Sequence, residues 1–392
     1  MILVMMMTRT NLFSLFLCAG MCLTGCLDDS ETSVATRTVL VYMAADNNLN
    51  SYSYDNIRSM IAGAEGDVLN RGNLLVYHDS SGELPRLIRI RRGSGGVVEQ
   101  EVVRTYEDRN SASPEVMRSV LDEVFLDAAY GADSYGLLLW SHGTAWLPGE
   151  NLKSYLRSYG QDKQNFMEIY ELQEALRGYR FDFIIFDDCY MANIEVAYTL
   201  RENAEYILAS PTEVLADGLP YRYIVPYLFS GEPVQNALTR TGERFYTYYN
   251  EQDSYPKSAS IALIKTAGLG ELAAASREIL RGREAEIFNL TLTDIQLMER
   301  LGQPHHALYD FGDFVRQLAT PEQYARFERA LEEVVVYKKT TDIAYYNAEG
   351  GLGGYPIDRE RFCGITSYVP QSALEKLNEW YRRLDWYKAV YE

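Results

Sequence analysis

Cysteine and histidine are scarce in this sequence, which has five cysteines and four histidines among its 392 residues. Cys18, Cys22 and Cys26 fall close to the N-terminus, so a chain that lost an export signal there would keep only Cys189 and Cys363 as free thiols. Two free thiols in a chain of this length argue against a disulfide scaffold. A bond between the two would block Cys189, so we expect Cys363 to be buried at the head of its own strand.

Patterns that bind metals or phosphates are also lacking. His305 and His306 are adjacent, so their side chains point to different sides, and no third ligand lies nearby in the sequence. We expect a surface pair and no metal site. The glycine-rich run 350–354 lacks the lysine and the helix start of a phosphate-binding loop, so it predicts a flexible turn.

Positively charged residues are the third scarce group, since the chain has 37 lysines and arginines but 55 aspartates and glutamates. The formal net charge of −18 argues against nucleic acids and anionic membrane surfaces as partners. It suits a protein that acts on cationic substrates. Apolar residues make up 47% of the chain, which is enough for a large core in one large or two modest domains.

The N-terminus has the pattern of an export signal. Arg9 precedes an apolar core, Leu12 to Leu23, that is too short to span a bilayer permanently. The core ends in Leu-Thr-Gly-Cys26, which resembles the cleavage box of bacterial lipoproteins. This predicts a lipoprotein signal peptide over residues 1–25 with lipidation of Cys26. An ordinary secretory signal that is cut nearby is the alternative.

An acidic tether is predicted to follow the signal, over residues 26–37. Its acidic residues lie just after the anchor, a position that resembles the surface-export signals of some Gram-negative lipoproteins. We therefore expect an exported protein that is lipid-anchored to the bacterial cell envelope. The outer-membrane surface is the location that this resemblance suggests, and the lipid would be the only contact with the membrane.

A buried strand that ends in two acids and a cysteine organises the rest of the chain. Residues 181–186 form an almost uninterrupted apolar run, typical of a strand buried on both faces of a parallel sheet. Asp187, Asp188 and Cys189 follow, and then the apolar spacing of a helix begins. Ligands bind at this edge of open α/β sheets, and a helix start would lower the pKa of the thiol. The alternative is that Cys189 only fills space in the core.

A second apolar strand ends in the same way, in Ser-His142-Gly143. His142 and Cys189 would thus lie at the ends of two strands joined by one helical crossover, which suits a base beside a nucleophile. Gly143 lacks a Cβ, so its N–H can approach a substrate closely. We expect this N–H and that of Cys189 to form an oxyanion hole. His78 also ends a strand, but no glycine follows it.

Together these motifs resemble the clostripain family of caspase-like cysteine peptidases. The histidine of caspase-type peptidases lies about 50 residues before the nucleophile, close to the spacing here. The resemblance covers most of residues 38–267 and thins out beyond them. The segments that carry it are SHG at 141–143, FDDCYM at 186–191, and the stretches 39–49, 159–162 and 209–213.

The resemblance implies an α/β fold, a caspase-like three-layer sandwich with a mostly parallel central sheet. It places the catalytic domain at 38–267 and leaves a C-terminal α/β extension, 268–392, packed on this core. Within the extension, the apolar spacing predicts a long helix over residues 321–338. A His/Cys dyad requires no cofactor. Calcium dependence occurs in the family, but no oxygen-rich ligand loop supports it here.

Asp187 and Asp217 are the acids that would select a basic substrate residue. Asp187 lies two residues before Cys189 in an extended segment, so its side chain should point to the same side as the thiol. Asp217 and Thr212 lie on a loop that should form a wall of the same cleft. Asp187 resembles the acidic residue that lies two positions before the cysteine in the clostripain family. This resemblance implies cleavage after arginine or lysine. Alternatively, both acids only hold loops by accepting backbone N–H bonds.

The polar stretch 149–163 predicts either a plain surface loop or a segment for self-cleavage. It contains Lys153, Arg157 and Lys163 and shows no apolar periodicity. The resemblance to the clostripain family implies activation by self-cleavage in this region. An enzyme that cuts after basic residues would find three sites here.

The leading hypothesis is an exported cysteine endopeptidase with a His142/Cys189 dyad that cleaves proteins or peptides after arginine or lysine. Two alternatives stay open. One is a non-catalytic surface lipoprotein that uses the caspase-like fold as a binding module, although such a module would not need both His142 and Cys189. The other is a cysteine peptidase of non-basic specificity, with an apolar pocket and a structural Asp187.

Overall fold

The computed structural model describes residues 35–148, 158–253, 256–300, 305–348 and 351–392. The predicted signal peptide, most of the tether, the lipidation site Cys26 and the cleavage candidates Lys153 and Arg157 lie outside these residues. Within the described part of the chain, no helix is long and apolar enough to cross a membrane.

The described strands form one nine-stranded central sheet and three two-stranded ribbons. The order across the large sheet is β12-β10-β9-β8-β5-β1-β2-β3-β4. Its five central strands are parallel, and antiparallel strands extend it at both edges. The strands are β1 (Arg37–Ala45), β2 (Gly72–Ser80), β3 (Arg86–Arg92), β4 (Val98–Thr105), β5 (Tyr135–Trp140), β6 (Tyr159–Asp162), β7 (Asn165–Met167), β8 (Phe181–Asp187), β9 (Ala204–Ala209), β10 (Ser260–Lys265), β11 (Leu308–Asp310), β12 (Val335–Thr340), β13 (Ile343–Ala348), β14 (Gly351–Pro356) and β15 (Thr366–Tyr368).

Helices cover both faces of the sheet. One face packs against α1, α5 and α6, and the other against α2, α3, α4, α7 and the helices that follow. The helices are α1 (Asn50–Gly63), α2 (Pro114–Phe125), α3 (Ile169–Ala175), α4 (Ile194–Thr199), α5 (Tyr221–Leu228), α6 (Val234–Asn250), α7 (Leu269–Leu280), α8 (Glu284–Phe288), α9 (Phe311–Arg316), α10 (Pro321–Val334), α11 (Glu375–Tyr381) and α12 (Asp385–Tyr391). The three-layer α/β architecture agrees with the prediction.

The central strands are apolar on both faces because each face meets its own layer of helices. In β1, Leu40 and Tyr42 join one core, and Val39 and Val41 join the other. The same alternation runs through β5 and β8. Continuous apolar runs in the sequence are therefore what this sheet requires at its centre.

Residues 268–392, predicted to be a C-terminal extension and called the extension below, contribute an edge strand to the central sheet, and one sequence prediction fails there. The helix predicted over residues 321–338 ends at Val334, and β12 continues the chain antiparallel to β10. Val335 and Val336 are β-branched, so they suit a strand once a partner edge is available.

The prediction of a flexible turn over residues 350–354 is also wrong for residues 351–354, which the structure describes. Residues 351–354 lie in β14, which pairs with β13 to form a hairpin. A Cβ added at Gly353 would lie 2.5 Å from Cζ of Tyr346, so this glycine makes room for the ring across the hairpin. The glycines permit close packing here and do not mark a turn.

One buried carboxyl group attaches the extension to the core, and a second holds together two segments within the extension. Glu195 in α4 accepts hydrogen bonds from the Tyr368 N–H and the Ser367 hydroxyl, each at 3.0 Å. Asp310 accepts the N–H of Cys363, which is buried as expected, at 2.7 Å. Burial raises the pKa of Glu195 to about 7 and that of Asp310 to about 6, although these hydrogen bonds oppose the rise.

We expect the free energy of unfolding to fall as the pH rises from about 5 to about 8. The native state holds the protons of Glu195 and Asp310 more tightly than the unfolded chain does, so their stabilising effect is lost as the pH passes their native pKa values. Glu195→Gln, which imitates the protonated group, should flatten the slope. Urea unfolding across this pH range measures the effect. A wild-type stability that rises with pH would contradict the expectation.

Candidate active site

The turns that follow β5 and β8 meet at one edge of the sheet. Trp140, the last residue of β5, pairs with Asp187, the last residue of β8. His142 and Cys189 each lie two residues farther on, so they occupy equivalent positions on neighbouring strand ends. A Cβ added at Gly143 would lie 2.9 Å from the carbonyl oxygen of Cys189, which shows how closely the two turns approach.

Asp188 holds these two turns together. Its Oδ1 accepts the N–H of Ser141 at 2.5 Å, across the gap between the strands. The carboxyl group is buried, and burial together with the neighbouring Asp187 raises its pKa well above the usual range. Burial therefore disfavours the ionised form of Asp188, and its hydrogen bond with Ser141 fixes one turn against the other. No role was assigned to it from the sequence, because its partner is distant in the chain.

The thiol of Cys189 is partly buried and is engaged by a loop that follows β9. The N–H of Val214 donates to Sγ at 3.2 Å, and Sγ lies 3.7 Å from the carbonyl oxygen of Val214. Burial raises the pKa of the thiol well above its usual value, and the nearby Glu213 carboxylate adds to the rise. The thiol is therefore protonated in this arrangement.

The expectation of a thiol pKa lowered by a helix start is wrong. The helix α4 begins at Ile194, with Asn193 as the cap whose side chain accepts the N–H of Val196. Tyr190, directly after Cys189, has a φ of +65°, so the chain turns before the helix begins. The first N–H groups of the helix lie too far along the chain to favour the thiolate.

His142 is half-buried and contacts a turn that follows β1. Its Nε2 lies 2.6 Å from Oδ1 of Asn48. Its carbonyl oxygen accepts the N–H of Gly160 at 2.8 Å, which attaches β6 to the same turn. Asn48 was not predicted as a site residue. The feature of the sequence that could have pointed to Asn48 is its position just after β1, because β1 pairs with β5 and ends at the same edge of the sheet.

The two N–H groups expected to bind an oxyanion are those of Gly143 and Cys189. Neither has a hydrogen-bond acceptor among the residues that the structure describes. The bridge between Gly143 and Tyr159 uses the N–H groups of flanking residues instead. Two neighbouring backbone N–H groups without an acceptor in the described part of the chain are the donors that an oxyanion hole would require.

Asp187 is buried and holds the loop that leads into α5. Its carboxylate accepts the N–H of Leu219 at 3.1 Å and the hydroxyl of Tyr221 at 2.6 Å. Burial raises the pKa of Asp187 to about 6, although these hydrogen bonds oppose the rise. Gly218 has a φ of +68°, and a Cβ there would lie 2.6 Å from Oδ2 of Asp187, so the loop requires glycine.

Thr212 and Asp217 lie on the loop between β9 and α5, in different environments. Thr212 is buried, with its hydroxyl oxygen 3.4 Å from that of Ser210. Its carbonyl oxygen accepts the N–H of Tyr190 at 3.0 Å. Asp217 is exposed, and its carbonyl oxygen accepts a hydrogen bond from Nδ2 of Asn56. Thr212 thus supports the chain next to the thiol, whereas Asp217 lies on an exposed part of the same loop.

Glu213, which had no predicted role, links the C-terminal extension to the loop at the thiol. Its carboxylate accepts the N–H of Asn347 at 2.9 Å and the hydroxyl of Tyr190 at 3.3 Å. Asn347 lies in β13, so the hairpin is tied to the residue before Val214. Burial raises the pKa of Glu213.

The rival histidine, His78, lies in β2 and is buried. Its Nε2 is 2.8 Å from Oγ of Ser53. Burial lowers the pKa of His78 to about 4, so the ring is neutral at physiological pH. Two strands separate β2 from β8 in the sheet, which keeps this ring away from the Cys189 turn.

A cavity of about 640 Å³ lies within the C-terminal extension, lined by side chains from residues 292–371. Neither His142 nor Cys189 lines it. Within the described ranges, no group of three or more histidine, cysteine or acidic side chains could hold a metal ion.

Comparison with known proteins matches nearly the whole chain. A model of the clostripain family, peptidase family C11, matches residues 41–392. An inactive zymogen C11 protease from Parabacteroides distasonis has 43% identity and a TM-score of 0.83, covering 92% of this chain and 99% of that one. A secreted C11 cysteine protease from Bacteroides thetaiotaomicron, in complex with an irreversible peptide inhibitor, has 33% identity and a TM-score of 0.78, covering 91% and 99%. No curated protein matches the chain.

These similarities extend past residue 267, into the extension that the sequence motifs did not reach. A further structure, of the secreted C11 protease iotapain from B. thetaiotaomicron, has 25% identity and a TM-score of 0.76, covering 91% of this chain and 99% of that one. The caspase-like fold predicted from the sequence is thereby confirmed. The chain belongs to the clostripain family and is a cysteine endopeptidase.

Proposed function

We propose that this endopeptidase uses Cys189 and His142 as a catalytic dyad and cleaves after arginine or lysine. The observation that carries the dyad is the equivalent position of the two residues on the paired ends of β8 and β5. Gly143, which packs against the backbone of Cys189, supplies the adjoining N–H. Peptide substrates are supported by the related protease that was solved with a peptide inhibitor.

The proposed reaction moves one proton back and forth through His142. The imidazole takes the proton from Sγ of Cys189 as the sulfur attacks the scissile carbonyl carbon. The carbonyl oxygen gains the negative charge, and the N–H groups of Gly143 and Cys189 donate hydrogen bonds to it. His142 then protonates the leaving amine, which leaves an acyl-enzyme. A water molecule, deprotonated by His142, releases the acid product and restores the thiol.

Asp187 supports specificity for basic residues because it lies at the end of the strand that carries Cys189. A pKa of about 6 leaves its carboxylate mostly ionised at neutral pH. Asp217 adds an exposed carboxylate on the loop that Asp187 holds, and Thr212 belongs to the same loop. Arginine could form a bidentate pair with such a carboxylate. The net charge of −18 also favours cationic substrates.

One observation favours a peptidase of non-basic specificity as the second candidate. Asp187 already accepts hydrogen bonds from Leu219 and Tyr221, as a purely structural acid would. Its substitution would then loosen the loop without changing which residue precedes the cut. Asp217, whose side chain is exposed, offers a way to test the loop charge with less risk to the fold.

Fluorogenic peptides that end in arginine, lysine or leucine test the specificity. We expect the wild type to cleave the arginyl and lysyl peptides fastest, and Cys189→Ala to cleave none. Asp187→Asn and Asp217→Asn should each lower the arginyl-to-leucyl ratio of kcat/KM by about 10- to 100-fold, because a hydrogen bond to a charged group contributes roughly 1.5–3 kcal/mol. A wild type that prefers leucine would retire Asp187 as the selector while leaving the dyad in place.

We also propose that the enzyme activates itself by cleavage within the stretch 149–163. The structure describes the chain up to residue 148 and again from residue 158. Thr144, two residues after His142, donates its N–H to the carbonyl oxygen of Ser158 at 3.2 Å. The intervening segment therefore starts and ends next to the proposed dyad. The related zymogen structure supports an inactive precursor in this family.

Of the three basic residues of this stretch, the structure describes Lys163. Lys163 has a φ of +54° and lies between β6 and β7, with its N–H bonded to the carbonyl oxygen of Asp46 at 2.8 Å. Its Nζ lies 3.0 Å from Oδ1 of Asp108. Peptides that bind along a sheet edge are extended, which this turn is not. We therefore propose Lys153 or Arg157 as the cleaved residue.

Incubation of the purified precursor tests self-cleavage. The wild type should convert to two fragments that remain associated, whereas Cys189→Ala should stay intact. Lys153→Ala or Arg157→Ala should block the conversion, and Lys163→Ala, the matched control, should not. Intact-mass measurement identifies the cut. An uncut wild type with full peptidase activity would contradict activation by cleavage.

Export is the last element of the proposal: residues 1–25 direct the chain out of the cell, and Cys26 carries the lipid. The Leu-Thr-Gly-Cys26 pattern supports lipidation. The related protease from B. thetaiotaomicron is described as secreted, which supports export.

Labelling of expressing bacteria with radioactive palmitate tests the anchor. We expect the wild type and Cys22→Ala to take up the label, and Cys26→Ala to lose it and to leave the membrane fraction. Cys22→Ala controls for loss of a nearby cysteine in the signal. An unlabelled wild type found in the medium would support an ordinary secretory signal instead.

A further inference from the structure

A hydrogen bond joins the imidazole of His142 to the turn after β1. Oδ1 of Asn48 lies 2.6 Å from Nε2 of His142, although the two residues are 94 positions apart in the chain. β1 pairs with β5 in parallel, with Met43 opposite Trp140, so the turns after both strands leave the sheet at one edge. The contact is thus a product of the fold and not of local sequence.

The turn that carries Asn48 is held by the asparagine before it. Nδ2 of Asn47 donates to the carbonyl oxygens of Ala44 and Gln161, at 3.0 and 2.9 Å. Its Oδ1 accepts the N–H of Leu49 at 2.8 Å, just before α1 begins. Because Asn47 fixes the backbone, the side chain of Asn48 is presented to the imidazole without having to hold the turn.

The chemistry of this contact decides which nitrogen of the ring carries the proton. An amide oxygen can only accept a hydrogen bond, so Oδ1 of Asn48 places the proton of the neutral imidazole on Nε2. Nδ1 then carries the lone pair and is the nitrogen that takes the thiol proton. An amide also adds no negative charge that would favour the imidazolium. It therefore suits a histidine that must later give its proton to the leaving amine.

We propose that Asn48 is a positioning residue of this peptidase, which sets the tautomer and the ring orientation of His142. The proposal rests on the proposed role of His142 as base and acid. It adds a third side chain, from the turn after β1, to the two that lie in the turns after β5 and β8. It also gives separate roles to adjacent asparagines, since Asn47 holds the turn and Asn48 orients the imidazole.

Three variants test the proposal on whichever of the arginyl, lysyl or leucyl peptides the wild type cleaves fastest. Asn48→Ala removes the acceptor oxygen, and Asn48→Asp keeps one in its place. Asn50→Ala is the matched control, because Asn50 lies in the same segment and its Oδ1 accepts the N–H of Ser81 instead. Thermal unfolding of each variant verifies that the fold is intact.

Asn48→Ala should lower kcat by about 10- to 100-fold and change KM by less than about 2-fold. General acid–base catalysis contributes roughly 10²–10⁴-fold, and this variant loses the orientation of the group rather than the group itself. Asn48→Asp should recover part of the lost kcat, because its carboxylate restores the acceptor oxygen while its charge favours the imidazolium. Asn50→Ala should match the wild type in both constants.

An unchanged kcat in Asn48→Ala would overturn the proposal, and a raised kcat would mean that Asn48 holds His142 away from the thiol. Equal losses in Asn48→Ala and Asn48→Asp, or in Asn48→Ala and Asn50→Ala, would also overturn it, since the acceptor oxygen would then not be what matters. His142→Ala in the same assay distinguishes failure of the proposed dyad from failure of the proposed role of Asn48. Wild-type activity in His142→Ala would contradict the dyad. An inactive His142→Ala beside a fully active Asn48→Ala would contradict only the role of Asn48.

Discussion

The parallel, in-register pairing of β5 with β8 is the constraint on which the rest of the site depends. Because both strands are buried on two faces, the sheet fixes the level at which their turns leave it, and the bond between Ser141 and Asp188 then fixes one turn against the other. Burial raises the pKa of Asp188 and so disfavours its ionised form, and the carboxyl group acts here as a hydrogen-bond acceptor. The backbone thus shapes most of the site and leaves few side chains for chemistry.

The surroundings of Cys189 favour the protonated thiol over the reactive thiolate. Val214 holds the sulfur through its N–H, and burial and Glu213 disfavour the thiolate. The thiolate is the nucleophilic form of cysteine. In the proposed mechanism, either the loop around Val214 releases the sulfur or the imidazole of His142 takes the thiol proton as the substrate arrives. Reactivity in this fold is a property of the loop as well as of the two strand ends.

Long apolar runs made the central strands and the turns at their ends predictable from the sequence. What the sequence did not reveal depends on contacts between distant segments. Residues after Val334 form a strand because β10 offers an edge, and Asp188 and Glu213 find their donors far along the chain. The contact of Asn48 with His142 has the same origin. The predicted direction of the thiol pKa failed because burial and a neighbouring carboxylate oppose the thiolate and the helix starts too late to favour it.

The hydrogen bond from Asn347 to Glu213 has a consequence for the order in which the chain is made. A nascent chain that has emerged only through β10 already contains His142 and Cys189. It still lacks β12, the outer strand of the sheet, and the β13 N–H that holds Glu213. Since the chain is made from the N-terminus and β13 lies near its other end, the loop at the thiol can receive this contact only after most of the polypeptide has been made. A peptidase built in this way completes the surroundings of its thiol late in its own synthesis.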